Sequence, residues 1–188
     1  MKKTLFFCVG ISGSGKSYYL KNKFLNDFPE VIKFLNDTNI ILNDIIVSPD
    51  SIRKEVCGDV SDISKDGYVW KLAKTRLKET LDKYGYGVFD ATGVSGKGRN
   101  SFLKNFKNIS KIAIIFEPNV ELAKERIKND LNEGVDRSKV PMFVVDRQFK
   151  AFKMSVIKNE NWDGIWNKPT RKKITENLKN VFEQIIFA

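Results

Sequence analysis

The stretch Gly10-Ile11-Ser12-Gly13-Ser14-Gly15-Lys16-Ser17 (GISGSGKS) fits the pattern G-x-x-x-x-G-K-[ST] at every position. Ahead of it, Lys3 to Gly10 is a short apolar run closed by glycine, which predicts a buried strand. Behind it, Lys16 to Phe28 carries Tyr19, Leu20, Phe24 and Phe28 at helical spacing and stops at Pro29. A glycine-rich turn between strand and helix lets consecutive backbone N–H groups curl round a phosphate at the positive end of the helix dipole. Gly13, Ser14, Gly15, Lys16, Ser17 and Tyr18 are therefore the expected ATP-binding residues. Lys16 supplies a cation to the β- and γ-phosphates and Ser17 a hydroxyl to Mg²⁺, so ATP and Mg²⁺ are the expected cofactors.

Working outward, apolar runs and helical stripes alternate. Glu30 to Asn43 is ambiguous, Asp44 to Val47 predicts a strand, and Ser48-Pro49 places a cap and an N1 proline ahead of a helix to Val56, with Gly58 as its stop. Lys65 to Tyr84 predicts a long helix with Val69, Leu72, Ala73, Leu77 and Leu81 on one face. Strands are expected at Gly87 to Ala91 and Lys111 to Phe116, and helices at Arg99 to Phe106, Val120 to Leu131, Pro141 to Met154 and about Lys173 to Phe187. The last carries Leu178, Val181, Phe182, Ile185 and Ile186 as an apolar stripe. Such alternation predicts an α/β fold, a central parallel sheet flanked by helices, in a single domain over residues 1–188.

Composition narrows the chemistry. The 188 residues contain no histidine, which excludes a Ser-His-Asp triad, an HExxH zinc site and any imidazole base. Acid–base work falls to a carboxylate, lysine or tyrosine. The two cysteines, Cys8 and Cys57, make neither a disulfide framework nor a zinc motif, and Cys8 reads as a small core hydrophobe in a reducing cytosol. Lys2 and Lys3 before Leu5 to Val9 imitate a secretory signal, but the run is short, lacks an Ala-x-Ala-like site and leads straight into the glycine motif. A cytoplasmic protein with no membrane span is expected; no sequence feature bears on its oligomeric state. Lysines and arginines number 33 against 23 aspartates and glutamates, a net charge of +10, which fits a polyanionic partner as well as a basic chain that binds none.

Three further groups carry candidate chemistry. Asp50 and Arg53 stand three apart on one helix face, at the carboxyl end of a strand, where α/β sheets line their ligand crevice. A carboxylate there can accept a hydroxyl proton and an arginine can hold an acceptor phosphate; the pair equally fits a helix-terminal aspartate with a solvated partner. Asp90 ends its strand with Ala91 and Thr92 rather than a second acid, unlike a motor or AAA-type ATPase, which favours transfer to an acceptor over hydrolysis. Arg126, then Asn132 to Val140 with Arg137 and Lys139, has the make-up of a lid over triphosphate or of a solvated helix turn. Lys97, Arg99, Lys104 and Lys107 offer an acceptor-phosphate surface or an exposed charge run. Trp162, Trp166, Phe143, Phe149 and Phe152 read as core.

The ordered set GISGSGKS, VSPDSIRKE, VFDATG with KGR, and ERIKND with VDRSKVP and VVDRQFKAF resembles the 5′-hydroxyl polynucleotide kinases of bacteriophage and bacterial end repair, over roughly Thr4 to Phe152. That resemblance implies an adenylate-kinase-like P-loop core with an arginine-bearing lid, and DNA or RNA 5′-hydroxyl ends as acceptor. Its roles fall on Lys16 and Ser17 for ATP and metal, Asp50 as the group activating the hydroxyl and Arg53 as the acceptor-phosphate contact. Asp90, Thr92 and Arg99 fall on the acceptor side, Arg126 and Arg137 in the lid. If the source is viral, the compartment is the host cytoplasm. Glu30 to Asn43 is longer than the bacteriophage pattern, and the Asp-x-Asp phosphatase signature is absent from these residues. Related cores act on nucleosides, sugars or antibiotics, and a nucleotide-gated binding module is a further class; the Asp50 and Arg53 pair favours an enzyme.

Overall fold

The computed structural model describes residues 3–155 and 184–188. Its strands are β1 (Thr4–Val9), β2 (Ile46–Val47), β3 (Tyr86–Phe89), β4 (Ser110–Ile115) and β5 (Gln184–Phe187). They form one sheet in the order β2-β3-β1-β4-β5, and every pairing is parallel. In β1, Phe7 stands opposite Phe89 on one side and Ala113 on the other. Parallel pairing requires a crossover between strands, and helices supply it, covering both faces.

Strand period divides β1 between two cores. Leu5, Phe7 and Val9 join a cluster with Val69, Ala73, Leu77 and Leu81 of the long helix α6 (Asp66–Tyr84). Phe6 and Cys8 face the opposite cluster, with Tyr19 and Leu20 of α1 (Lys16–Asn22), Phe24 of α2 (Phe24–Asp27), and Val31 and Leu35 of α3 (Pro29–Thr38). Phe6 is the hub there: its ring meets Phe28 edge-on at 4.5 Å and Phe24 at 5.0 Å. The short α4 (Leu42–Ile45) leads into β2, and α5 (Pro49–Cys57), α7 (Gly96–Leu103), α8 (Val120–Asn132) and α9 (Met142–Ser155) complete the described helices. No described helix is long and apolar enough to cross a membrane.

Several expected boundaries move, each for a local reason. The single helix from Lys16 to Phe28 breaks at Lys23, whose φ of −129° is not helical, so that Phe24 and Phe28 turn onto Phe6. Pro29 does not merely stop that helix; it opens α3, so the ambiguous Glu30 to Asn43 stretch is largely helical. The strand expected at Asp44 to Val47 is confined to Ile46–Val47, because the Asp44 carboxylate accepts the Ile41 N–H at 2.9 Å and closes a turn. Ser48 does occupy the N-cap of α5, but its side chain makes no capping hydrogen bond. The expected C-terminal helix is corrected at residues 184–187, which pair instead with the open edge of β4 and satisfy its backbone groups. The rest of that expected helix, with Leu178, Val181 and Phe182, lies outside the described residues, as do Trp162 and Trp166. Of the other aromatics expected in the core, Phe152 is buried and Phe149 partly so, while Phe143 is exposed.

Phe6→Ala should cost about 3–5 kcal/mol, the usual range for emptying an aromatic core position. In urea titration the midpoint should fall with little change in the m-value.

Candidate functional site

The glycine motif occupies the turn between β1 and α1, at the carboxyl edge of the sheet. Gly13 has a φ of +77°, and a Cβ there would lie 2.4 Å from the Ala123 carbonyl, so α8 packs directly on the loop and admits only glycine. Gly15, also left-handed at φ +91°, starts α1 and aims its first amides across the turn. Lys16 bends back over the loop, its Nζ donating to the carbonyls of Ile11 at 2.8 Å and Gly10 at 3.3 Å. Burial lowers its pKa, opposed mainly by the nearby Asp90 carboxylate. Ser14 Oγ is buried without a hydrogen-bond partner among the described residues, and Tyr18 is exposed beside the loop.

Asp90 follows β3, held by its N–H to the Val47 carbonyl at 3.0 Å, and accepts the Ser17 hydroxyl at 3.1 Å. Burial raises its pKa, while Lys16 and the Ser17 hydrogen bond pull it down. Asp90, expected on the acceptor side, is instead bonded to Ser17, and the two offer adjacent oxygens to a cation. Among the described residues no three Asp, Glu or Cys side chains gather as a metal cage. Mg²⁺ keeps several waters and takes its remaining ligands from phosphates, so this two-oxygen donor set fits it. Thr92 contributes its carbonyl to the Gly10 N–H at 2.8 Å, tying the motif to the end of β3.

Asp50 opens α5, and its carboxylate accepts from Arg53 Nη1 at 2.5 Å. Its charge acts on both Lys16 and Asp90, raising the pKa of each. Arg53 is 7% exposed, not the solvated partner of a surface pair. Its Nη2 donates to Asp66 at 2.7 Å, its Nη1 also reaches the Val60 carbonyl at 3.4 Å, and its Nε is buried without a partner among the described residues. Burial opposes the guanidinium charge, but bonds to Asp66 and Asp50 outweigh it and raise the pKa. Asp66 was not singled out from sequence. It lies thirteen residues beyond Arg53 at the start of α6, and only the packing of α6 on α5 brings it in.

The loop after α8 reaches α5 and the segment that follows it. Asp136 pairs with Lys54 of α5, and the Lys139 N–H donates to Ser61 Oγ at 2.9 Å. Between these anchors Arg137 pairs with Asp130, and its charge bears on Lys16; its Nε is buried with no partner among the described residues. Arg126 reaches the Gly13 carbonyl at 3.4 Å from α8. A contact missed from sequence comes from α9, where Gln148 accepts the Ser12 N–H at 2.8 Å. Its nearest sequence signal is the RQF segment, which carries no local chemistry. Arg99 sits apart from the exposed Lys97, Lys104 and Lys107. It is 4% exposed, donates to the carbonyls of Gly93 at 2.6 Å and Ser155 at 3.1 Å, and is pushed down to about 10 by burial. Lys16, Ser17, Asp90, Asp50, Arg126 and Arg137 are therefore gathered, whereas Arg99 faces inward toward the end of α9.

The raised pKa of Asp90 means that its neutral form is the one favoured by folding. Its contribution is full below the unfolded carboxylate pKa and is lost as pH rises through the folded value. Asp90→Asn should therefore raise the thermal midpoint at neutral pH, with the gain shrinking in acid, while weakening Mg²⁺-dependent nucleotide binding. Melting curves across pH, with and without Mg²⁺ and ATP, check both halves.

The family described as AAA domain matches residues 5–154. Among solved structures, a chain of the Pnkp1/Rnl/Hen1 RNA repair complex aligns with a TM-score of 0.63 at 15% identity, over 81% of this chain and 45% of that one. This chain thus spans less than half the length of the repair-complex chain. A shikimate kinase from Acinetobacter baumannii, in complex with shikimate, aligns at 0.48 and 15% identity, over 98% and 83% of the two chains. A gluconokinase from Sinorhizobium meliloti 1021 aligns at 0.43 and 13% identity, over 95% and 91%. No curated protein matches in sequence.

Proposed function

This chain belongs to the AAA domain family and has a P-loop kinase fold, and from that premise we propose a single-domain ATP- and Mg²⁺-dependent kinase that phosphorylates nucleic-acid 5′-hydroxyl ends. One observation carries the reading: a carboxylate, Asp50, is oriented by a buried arginine and lies near enough for its charge to act on Lys16 and Asp90. A hydrolase would place a second acid beside Asp90 to activate water, and here Ala91 and Thr92 follow it instead.

In the proposed reaction the glycine motif would hold the phosphates through its amides and Lys16, and Ser17 with Asp90 would hold the metal, which would supply charge neutralisation. Asp50 accepts the proton of the 5′-hydroxyl, the hydroxyl oxygen bonds to the γ-phosphorus, and the bond to the β–γ bridging oxygen breaks to release ADP. Arg137 and Arg126 would neutralise the charge that accumulates on the transferred group. Arg53 acts first by fixing Asp50, since both of its Nη atoms are engaged there and at Asp66. Support for a polynucleotide acceptor comes from the net charge of +10 and from the motif order; likeness to the repair-complex chain adds fold alone.

Labelled ATP presented with 5′-hydroxyl DNA and RNA, nucleosides and sugars tests the acceptor. Transfer to oligonucleotides is expected, with an acceptor KM that rises with salt as counterions are no longer released. Preferential transfer to a small neutral acceptor, with no salt slope, replaces this reading by that of a small-molecule kinase. Asp50→Asn should retain ATP binding and lower single-turnover transfer by roughly two to four orders of magnitude. Near-normal transfer in that variant removes Asp50 from the mechanism. Arg137→Ala should act mainly on kcat, removing about 3 kcal/mol or more of transition-state stabilisation.

A further inference from the structure

Trp70 lies one turn into α6 and is 39% exposed, unusual for an indole with this many contacts. Part of the ring packs on Phe89 and Phe102, with centroids 6.1 and 6.3 Å away. Its Nε1–H donates to Asp66 Oδ2 at 3.1 Å. The other oxygen of Asp66 holds Arg53 at 2.7 Å, and Arg53 holds Asp50 at 2.5 Å. On the other side, Phe89 immediately precedes Asp90. The indole is therefore tied through Asp66 and Arg53 to Asp50 and packs on the residue that precedes Asp90, with its polar edge engaged and part of its surface exposed.

We propose that Trp70 is a stacking platform for the terminal nucleobase of the acceptor strand. The proposal rests on the 5′-hydroxyl kinase reading and deepens it by naming where the base beside the reacting hydroxyl lies. A fixed ring loses little freedom when a base settles on it, and every base has a π-face, so the platform is tolerant of sequence. Asp66 serves as a positioning residue, since one carboxylate sets both the indole and the arginine that orients Asp50. Phosphates of the strand supply the salt-dependent part of binding, and the stack supplies a part that salt leaves in place.

The test compares two 5′-hydroxyl oligonucleotides, identical except that one has an abasic terminal nucleotide, in wild type, Trp70→Leu and Trp70→Phe. Leucine keeps an apolar contact with Phe89 and Phe102 without a π-face, and thermal unfolding of each variant reports on the fold. In wild type the abasic end should raise KM roughly 5- to 100-fold, the range of one base–aromatic stack. In Trp70→Leu the KM for the intact end should rise by a similar factor and the abasic penalty should disappear, with KM for ATP unchanged. Trp70→Phe should restore part of the discrimination. An abasic penalty that survives in Trp70→Leu, or no penalty in wild type, overturns the stack while leaving the kinase reading standing. Transfer to neither oligonucleotide, with transfer to a nucleoside or sugar, overturns both.

Discussion

The burial of β1 on both faces is the constraint on which the remainder depends. Leu5, Phe6, Cys8 and Val9 are fully buried and Phe7 nearly so, so the strand has no solvent face and must lie between paired strands and under helices on both sides. A chain leaving such a strand emerges only at the sheet edge, and there the glycine motif begins. Gly93, at the end of the neighbouring strand, approaches so closely that a Cβ would meet the Cys8 carbonyl and the Phe7 ring at 2.6 Å, with φ at +56°. Two backbone turns are thus pressed together at the rim, and Asp90 and Ser17 meet there at hydrogen-bond distance. The core sets the site because its strands end where the polar groups start.

Those polar groups are held under tension of charge rather than at rest. Burial disfavours the charged form of both Lys16 and Asp90, and each partly compensates the other. Ser14 Oγ and Arg137 Nε are buried without partners among the described residues, next to the turn a triphosphate would enter. Polar atoms left unpaired in this way cost stability, which a polyanion lying among them would recover.

Two ties give the cleft its width. On one side the lid loop is anchored to α5 through Asp136 and Lys54 and through Lys139 and Ser61. On the other, Gln148 of α9 accepts the Ser12 N–H. Since α8 and α9 flank this loop, a shift of either helix would move Arg126 and Arg137 relative to the glycine motif. The loop that carries Arg137 and the Asp50 helix are therefore linked, and in the proposed reaction that link would help hold donor and acceptor in line.

Much of this was legible from residues alone, for physical reasons. The glycine motif is local: its glycines, lysine and hydroxyl act within one turn, so their spacing specifies their geometry. Strand runs at β1 and β4 and the long helix α6 were legible because burial imposes a period that sequence displays. Asp50 and Arg53 were readable as a pair because three residues on a helix share a face. What sequence could not decide depended on contacts between distant segments. The break at Lys23 follows from where Phe6 needs its aromatic neighbours, and residues 184–187 became a strand because β4 offered an open edge. Arg99 turned inward, Asp66 and Gln148 joined the site, and Trp70 was left partly exposed with its Nε1–H on Asp66. The motif determined that a phosphate could be held; only the packing of α5, α6 and α9 around it decided what would face that phosphate, because those partners lie too far apart in the chain for any local pattern to encode their meeting.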